Sequence, residues 1–471
     1  MNRTLNTDLL KQIEKLQKSD FSASETQKDV FNVIETLCQI IIEQAKEIQD
    51  LKNEINRLKG EKGKPEFKAK KKVEDKPKEN DKMESGEKKA WKKGTKTDRI
   101  NIARTVDVEL DKTGLPDDLV FKGYEERIVQ NIILKTDNVL YRLKKYYSPS
   151  QGKTYTAEID GVPAGSEFGA ETKALISMLY FGYRVTENKI VSLLNAFGLH
   201  ISEGTLSNIL IKEQSEQLSQ IKNEILEAGM ASSSYQQIDD TGMKVGKESG
   251  YATILCNEKY SVFFINLSKS RETIKTFLTS YLVTLFMVLV GDDAPQFKKI
   301  AKRFALCWVH EERHYVKLVP ILSKHKAVLK RVRGEIWKYY DRLKDYKKEP
   351  TAEKKAALWD EFDVLFGQKT GYEELDNRLS LTLEKKCELL TVLDYPEVPL
   401  HNNLSENGVR EMVMKRKISG GVKTEDGLKA WENNMSIWAT CKKLGINYYD
   451  FMIGVFSNKV TINLPKIILQ Q

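Results

Sequence analysis

Cysteine is scarce in this chain, which has 471 residues and only 5 cysteines. They are scattered along the sequence and no two of them have Cys-x-x-Cys spacing. The sequence therefore predicts neither a disulfide framework nor a four-cysteine zinc site. Unpaired thiols are typical of a reducing compartment, and we expect a cytoplasmic protein.

Long apolar runs are also missing. No uninterrupted stretch approaches the roughly 20 residues that a helix needs to span a bilayer, and YLVTLFMVLV at 281–290 is too short. The N-terminus is rich in Asn, Lys and Glu and lacks the apolar core of a signal peptide. We therefore expect no membrane partner.

Basic residues exceed acidic ones, with 76 Lys and Arg against 67 Asp and Glu, and the net charge is +9. Such a surplus favours polyanionic partners, nucleic acid first. The alternative is that the surplus is only a solvated Lys-rich segment. Hydrophobic residues make up 40% of the chain, which is enough for globular cores.

Periodicity and composition predict a multidomain α+β protein. A coiled coil, a helical DNA-binding region and an α/β core with a long helical insertion follow one another. The predicted segments are 1–58 (N-terminal helices and coiled coil), 59–96 (disordered Lys/Glu-rich linker), 97–165 (small strand-rich DNA-binding region), 166–230 (helix-turn-helix-like domain), 231–310 (first part of the core), 311–398 (helical insertion) and 399–471 (completion of the core and C-terminal helices).

A heptad pattern runs from Val30 to Leu58, with Ile at position a and mostly Leu at position d. This combination favours a parallel two-stranded coiled coil, in which the polar residue Gln44 sets the register. The pattern predicts a homodimer or a higher oligomer. The alternative is a helix that packs on its own chain.

Two segments between the linker and the core predict DNA contacts. The first contains Lys144, Lys145 and Tyr147, a mixture that can hold phosphate and stack on bases. The second reads as two short helices, of which the latter begins after the N-cap residue Ser202. Its polar residues would enter a DNA groove, although any two packed helices give the same pattern. These residues are Thr205, Ser207 and Asn208.

Acidic residues stand at three informative points of the predicted core. Asp239 ends the first strand, Asp292 directly follows the strand FMVLVG, and Glu406 opens a helix after the long insertion. Together the three carboxylates could hold two Mg²⁺ ions, with Mn²⁺ as a substitute, for phosphodiester chemistry. The alternatives are an Asx-turn or cap for each Asp and a favourable helix-start charge for Glu406.

Basic residues follow Glu406 on the same helix. Arg410 lies one turn later and could contact a phosphate or form an ion pair with Glu406. Arg416 and Lys417 at the end of the helix could bind DNA or complement its C-terminus.

Cys307, His310 and His314 lie close together in CWVHEERHYV. Zinc would need a further ligand, which the sequence does not identify.

Several blocks resemble the insertion sequence 66 family of bacterial transposases. They are IDDTG, GDDAPQF with CWVHEERH, and NNLSENGVREMVMKRKISGG, with similar segments on both sides. The resemblance implies a ribonuclease-H-like core in which Asp239, Asp292 and Glu406 are the catalytic triad and the metal ligands. It also suggests that Cys307 and His310 either support the active site or contact DNA near the second Asp. The cysteine-rich zinc segment that the family usually carries before its helical region is absent.

The resemblance implies a DNA transposase that binds terminal inverted repeats and performs two-metal cleavage and strand transfer on double-stranded DNA. Such a protein would be associated with the bacterial nucleoid and could use accessory proteins. Asp292 and Asp293 compete for the second position. The alternative functions are a catalytically inactive dimeric helix-turn-helix DNA-binding protein and a general ribonuclease-H-like nuclease.

Overall fold

The computed structural model describes Gln44 and residues 102–110, 113, 121–132, 136–159, 166–279 and 288–470. The predicted linker and, apart from Gln44, the predicted coiled coil lie outside these residues. The chain divides into two units, one formed by 1–47 with 136–471 and the other by 48–135. All helices and strands described below belong to the first unit.

A two-stranded hairpin begins the regular structure. Strand β1 (Lys145–Ser148) pairs antiparallel with β2 (Lys153–Thr156), and both strands are largely exposed. The alternation of Tyr, Thr and Lys suits strands whose two faces both contact water.

A helical region precedes the main sheet and agrees with the periodicity of the sequence. Ser202 accepts a hydrogen bond from the backbone N–H of Thr205 and so caps the third helix, as its position predicted. Gly198, with a φ of 81°, turns the chain just before it. The helices are α1 (Ala170–Ser177), continued by a π-helical turn (Met178–Gly182), α2 (Glu187–Ala196), α3 (Glu203–Ile211) and α4 (Ser215–Ala231).

The centre of the unit is a five-stranded mixed sheet in the order β5-β4-β3-β6-β7. The first three strands along the chain form an antiparallel meander, and the last two run parallel to β3. The first strand, β3, is therefore the central one. The elements are β3 (Tyr235–Val245), β4 (Glu248–Cys256), β5 (Ser261–Asn266), α5 (Arg271–Thr279), β6 (Val288–Gly291) and β7 (Arg303–Leu306).

The segment after β7 is helical, as predicted, and has a hydrophobic core of its own around Trp308, Tyr339 and Phe362. Strand β7 ends at Leu306, because Trp308 already belongs to the next helix. The helices are α6 (Trp308–Val316), α7 (Ser323–Lys348), α8 (Ala352–Gly367), α9 (Glu373–Leu383) and α10 (Lys386–Leu389), followed by a 3-10 turn (Thr391–Leu393).

The chain then returns to the sheet through four helices: α11 (Asn403–Ser419), α12 (Glu425–Leu444), α13 (Tyr448–Phe456) and α14 (Leu464–Gln470). Helix α11 packs against β3 and β4, and α12 packs against β5. A Cβ atom at Gly408 would overlap the side chain of Ile254, so glycine permits this close approach of α11 to the sheet. In the part of the chain that the structure describes, no helix combines the length and hydropathy of a membrane span.

Candidate active site

The two aspartates lie where strands β3 and β6 separate. Strand β6 pairs with β3 only as far as Gln237, two residues before Asp239, and Asp292 directly follows β6. Placing Asp239 at the end of its strand was wrong, because β3 continues to Val245 as one arm of the hairpin with β4. Asp239 instead lies just beyond the point where the parallel pairing of β3 with β6 ends.

Glu406 occupies the first turn of α11, as predicted, and a side chain from β3 holds that turn in place. The Oε1 atom of Gln237 accepts hydrogen bonds from the backbone N–H groups of Leu404 (3.1 Å) and Ser405 (3.4 Å). The first N–H groups of a helix have no partner inside the helix, so Gln237 satisfies two of them. The strand of Asp239 and the helix of Glu406 are thereby joined.

Asp239 lies in an electrostatic environment that disfavours its negative charge. The pKa of Asp239 is raised to about 7, and burial is the largest cause. The carboxylates of Asp292, Asp240 and Glu406 contribute to this rise, whereas a hydrogen bond from the backbone N–H of Asp240 at 2.8 Å opposes it. The three predicted carboxylates therefore lie close enough to interact.

The neighbouring acids have other partners. Asp240 accepts a hydrogen bond from Gln296 at 2.7 Å. Asp293 forms ion pairs of 2.6 Å with Lys298 and with Lys385. Burial would raise the pKa of Asp293, but these two lysines outweigh burial and the pKa is lowered. Asp292 interacts electrostatically with Asp239 and Asp240, while the two lysines neutralise the charge of Asp293.

Glu406 also faces basic side chains. Its Oε2 atom lies 3.5 Å from Arg313 and 3.5 Å from Arg410, and its Oε1 atom lies 3.5 Å from Nε2 of His310. The predicted ion pair between Glu406 and Arg410 is therefore present. The Arg410 side chain is 68% exposed and can also reach a ligand from solvent.

These carboxylates fit a hard divalent cation such as Mg²⁺. Asp239 lies among acids, and Oε1 of Glu406 is buried without a hydrogen-bond partner in the described part of the chain. Buried carboxylate oxygens without partners are costly, and a cation would compensate them. Oxygen donors are the ligands that Mg²⁺ prefers.

Cys307 and His310 lie beside Glu406. One donor atom of each of the three side chains lies within 4.8 Å of the others. Burial raises the pKa of the Cys307 thiol, although hydrogen bonds from three backbone N–H groups oppose the shift. His314, considered together with them in the sequence, is not a member of this group.

The other predicted DNA contacts lie outside this cluster. Arg416 is half-buried beside Gly242, and Lys417 is exposed at the end of α11. Asn208 is exposed on α3, whereas Thr205 and Ser207 are half-buried. Lys144, Lys145 and Tyr147 are exposed, as are most residues of the first hairpin region. Their roles remain predictions.

Sequence reasoning missed Gln237, Arg313 and the two lysines that pair with Asp293. Gln237 could have been noticed, because a polar residue two positions before Asp239 lies on the same face of the strand. Arg313 and Lys385 gave no comparable signal, since long-range contacts bring them to the site.

Comparisons with known proteins identify the family of the chain. Residues 165–430 match the family model described as "Transposase IS66 family", and the chain belongs to this family. The resemblance noted in the sequence is thereby confirmed. A protein of Sinorhizobium fredii (strain NBRC 101917 / NGR234), described as "Uncharacterized protein y4jO", is 41% identical over 165 residues. The aligned part is 35% of this chain and 51% of that protein, so the chain spans about half the length of this curated relative.

Proposed function

We propose that the chain is a DNA transposase of a bacterial insertion sequence. It binds the terminal inverted repeats of its element and catalyses cleavage and strand transfer with Asp239, Asp292 and Glu406 as the ligands of two Mg²⁺ ions. Family membership supports the transposase class. The observation that carries the assignment of residues is the convergence of three carboxylates, distant in sequence, at the end of the β3–β6 pairing.

The roles of the side chains follow from their positions. Bound Mg²⁺ supplies the charge that activates the attacking oxygen and stabilises the leaving oxygen. Asp239 lies on the central strand, and Gln237 joins the helix of Glu406 to that strand. Arg410 is exposed beside Glu406, so it can exchange its carboxylate partner for a DNA phosphate.

Binding of the DNA ends is assigned to elements away from the acids. Helix α3 presents Asn208 to solvent, and the first hairpin region presents Lys144, Lys145 and Tyr147. Arg416 and Lys417 extend the basic surface along α11. A coiled coil at 30–58 would pair two protomers, since two ends must be brought together.

The test is Mg²⁺-dependent cleavage of DNA that carries the ends of the element. Wild type should nick such DNA with Mg²⁺ or Mn²⁺, while Asp239→Ala and Glu406→Gln should be inactive and still bind the ends. Glu425→Gln, at an exposed residue of α12, is the control and should retain cleavage. If wild type binds the ends but does not nick them, the proposed enzymatic activity is contradicted. If it nicks DNA regardless of the end sequence, the protein is a general nuclease.

A further inference from the structure

Cys307, His310 and Glu406 form a compact group of mixed donors between α6 and α11. Each contributes one atom to a set whose members lie within 4.8 Å of one another. Cys307 directly precedes α6, His310 lies in its first turn, and Glu406 lies in the first turn of α11. A thiol, an imidazole and a carboxylate are the donor types of zinc sites in proteins.

We propose that these three side chains bind a soft divalent cation of the Zn²⁺ class and that this second metal site shares Glu406 with the three-acid site. Thiolate and imidazole ligands select Zn²⁺ over Mg²⁺, so the two sites differ in their metal preference. Three protein ligands leave the fourth position of a tetrahedral ion for water. The site thus has the open coordination of a reactive zinc centre and not the closed coordination of a structural one.

Several side-chain polar atoms in and around this group have no hydrogen-bond partner among the described residues. Within the described residues, Nδ1 of His310 and Oε1 of Glu406 are buried without a hydrogen bond, and so are both side-chain polar atoms of Asn402. Buried polar atoms are normally satisfied, so several unsatisfied atoms at one place are unusual. They are available to a cation and to a water molecule bound to it.

Backbone N–H groups around the sulfur atom partly offset the burial that favours the neutral thiol of Cys307. The backbone N–H groups of Val309, His310 and Asn402 donate hydrogen bonds to Cys307. Donors of this kind stabilise a thiolate and orient it toward a metal. Cys307 is also held firmly, because its backbone N–H bonds to the carbonyl oxygen of Gly291 at 2.9 Å.

Two arginines compete for the same carboxylate but leave one oxygen available. Arg313 and Arg410 both approach Oε2 of Glu406, whereas the atom nearest His310 is Oε1. Arg313 also lies 3.0 Å from Nε2 of His310, but 48% of its side chain is exposed. An exposed arginine can turn toward solvent when a cation binds, so the competition is weak.

Cobalt(II) is the probe for this site, because a thiolate ligand gives Co²⁺ an intense charge-transfer band. The metal-free full-length protein would be titrated with Co²⁺ in the presence of excess Mg²⁺. Wild type should show the thiolate-to-cobalt band, saturating at about one Co²⁺ per chain, and Zn²⁺ should remove it. Cys307→Ser should lack the band, whereas Cys387→Ser, at an exposed cysteine, should retain it.

The remaining ligands are tested by affinity. His310→Gln and Glu406→Gln should bind Co²⁺ at least about tenfold more weakly, because each loses a direct ligand. His314→Gln, one turn further along α6, is the matched control and should bind as wild type does. These variants also keep the test decisive if Cys307→Ser fails to fold. No charge-transfer band in wild type, or unchanged affinity in His310→Gln, would overturn the proposal.

The sharing of Glu406 has a consequence for cleavage, and this consequence rests on the proposed function. In the Mg²⁺ assay, Zn²⁺ should inhibit wild type at the concentrations that displace Co²⁺, and Cys307→Ser should be less sensitive relative to its own activity without Zn²⁺. Binding without inhibition would refute the sharing of Glu406. A protein that shows the cobalt band but never cuts DNA would contradict the transposase proposal and leave the metal site standing.

Discussion

The side-chain Oε1 atom of Gln237 accepts a hydrogen bond from the backbone N–H of Leu404 at 3.1 Å. This bond joins the central strand to the first turn of α11, two residues from Asp239 on one side and two residues from Glu406 on the other. The bond directly connects the strand that carries Asp239 with the helix that carries Glu406, and both residues are proposed metal ligands. Their separation therefore depends on a side chain that is not itself a ligand.

Replacing Gln237 by methionine should weaken Mg²⁺ binding as well as the fold. The substitution keeps the shape but leaves helix N–H groups unsatisfied, which costs about 1–2 kcal/mol of unfolding free energy. The Mg²⁺ concentration for half-maximal thermal stabilisation should rise. Gln236→Met is the control, because Gln236 bonds to Tyr260 instead and should reduce stability without moving the Mg²⁺ midpoint. Equal midpoints in the two variants would assign Gln237 a purely structural role.

Substituting the two adjacent aspartates should have opposite consequences. Asp292→Asn should abolish Mg²⁺-dependent cleavage with little loss of stability, since Asp292 lies among other acids. Asp293→Asn should retain cleavage and lose about 1 kcal/mol, because it weakens the ion pairs with Lys298 and Lys385. Cleavage assays and urea unfolding of both variants would distinguish the two residues. The reverse pattern would make Asp293 the ligand.

Asn208 should contribute to end recognition. It is exposed on α3, so Asn208→Ala should leave the unfolding free energy unchanged. If Asn208 reads a base edge, its removal should weaken binding to the terminal repeats by about 1–3 kcal/mol and leave binding to unrelated DNA nearly unchanged. Gel-shift titrations with both DNAs would measure this, with Gln220→Ala on α4 as the control. An equal loss on both DNAs would point to a phosphate contact.

Lys415 should make the stability of the protein depend on pH. Burial is the main cause that lowers the pKa of Lys415 to about 7, whereas its value in the unfolded chain is near 10.5. Between these pH values the unfolded state binds more protons, so the unfolding free energy should rise with pH across this window. The rise is at most about 5 kcal/mol, and the Tyr180 ring, 3.2 Å from Nζ, reduces it by favouring the charged amine.

Lys415→Met should lack this rise. Urea unfolding of wild type and the variant at pH 7 and at pH values approaching 10 would measure the difference between them. Lys417→Met, at an exposed residue of the same helix, is the control and should follow wild type. Parallel pH profiles for wild type and Lys415→Met would show that Lys415 remains charged in the folded state.

Periodicity and turn chemistry predicted much of the fold. The cap at Ser202 and the long helical segment after β7 both followed from local patterns. The end of β3 was predicted too early, because the extent of a strand depends on its neighbours. The segment IDDTG has no local feature that predicts its pairing. In the structure, β3 stops pairing with β6 at Gln237 but continues to pair with β4 as far as Val245.

The sequence by itself determined the types of residue at the candidate site and their order, because carboxylates in or directly after apolar strand patterns and at a helix start can be recognised from local chemistry. Only the tertiary structure decided which residues meet. It placed Asp292 among the other acids and neutralised Asp293 with lysines from two segments. It also showed that Glu406, and not His314, lies beside Cys307 and His310. The packing of α11 on the sheet brings Glu406 to this position.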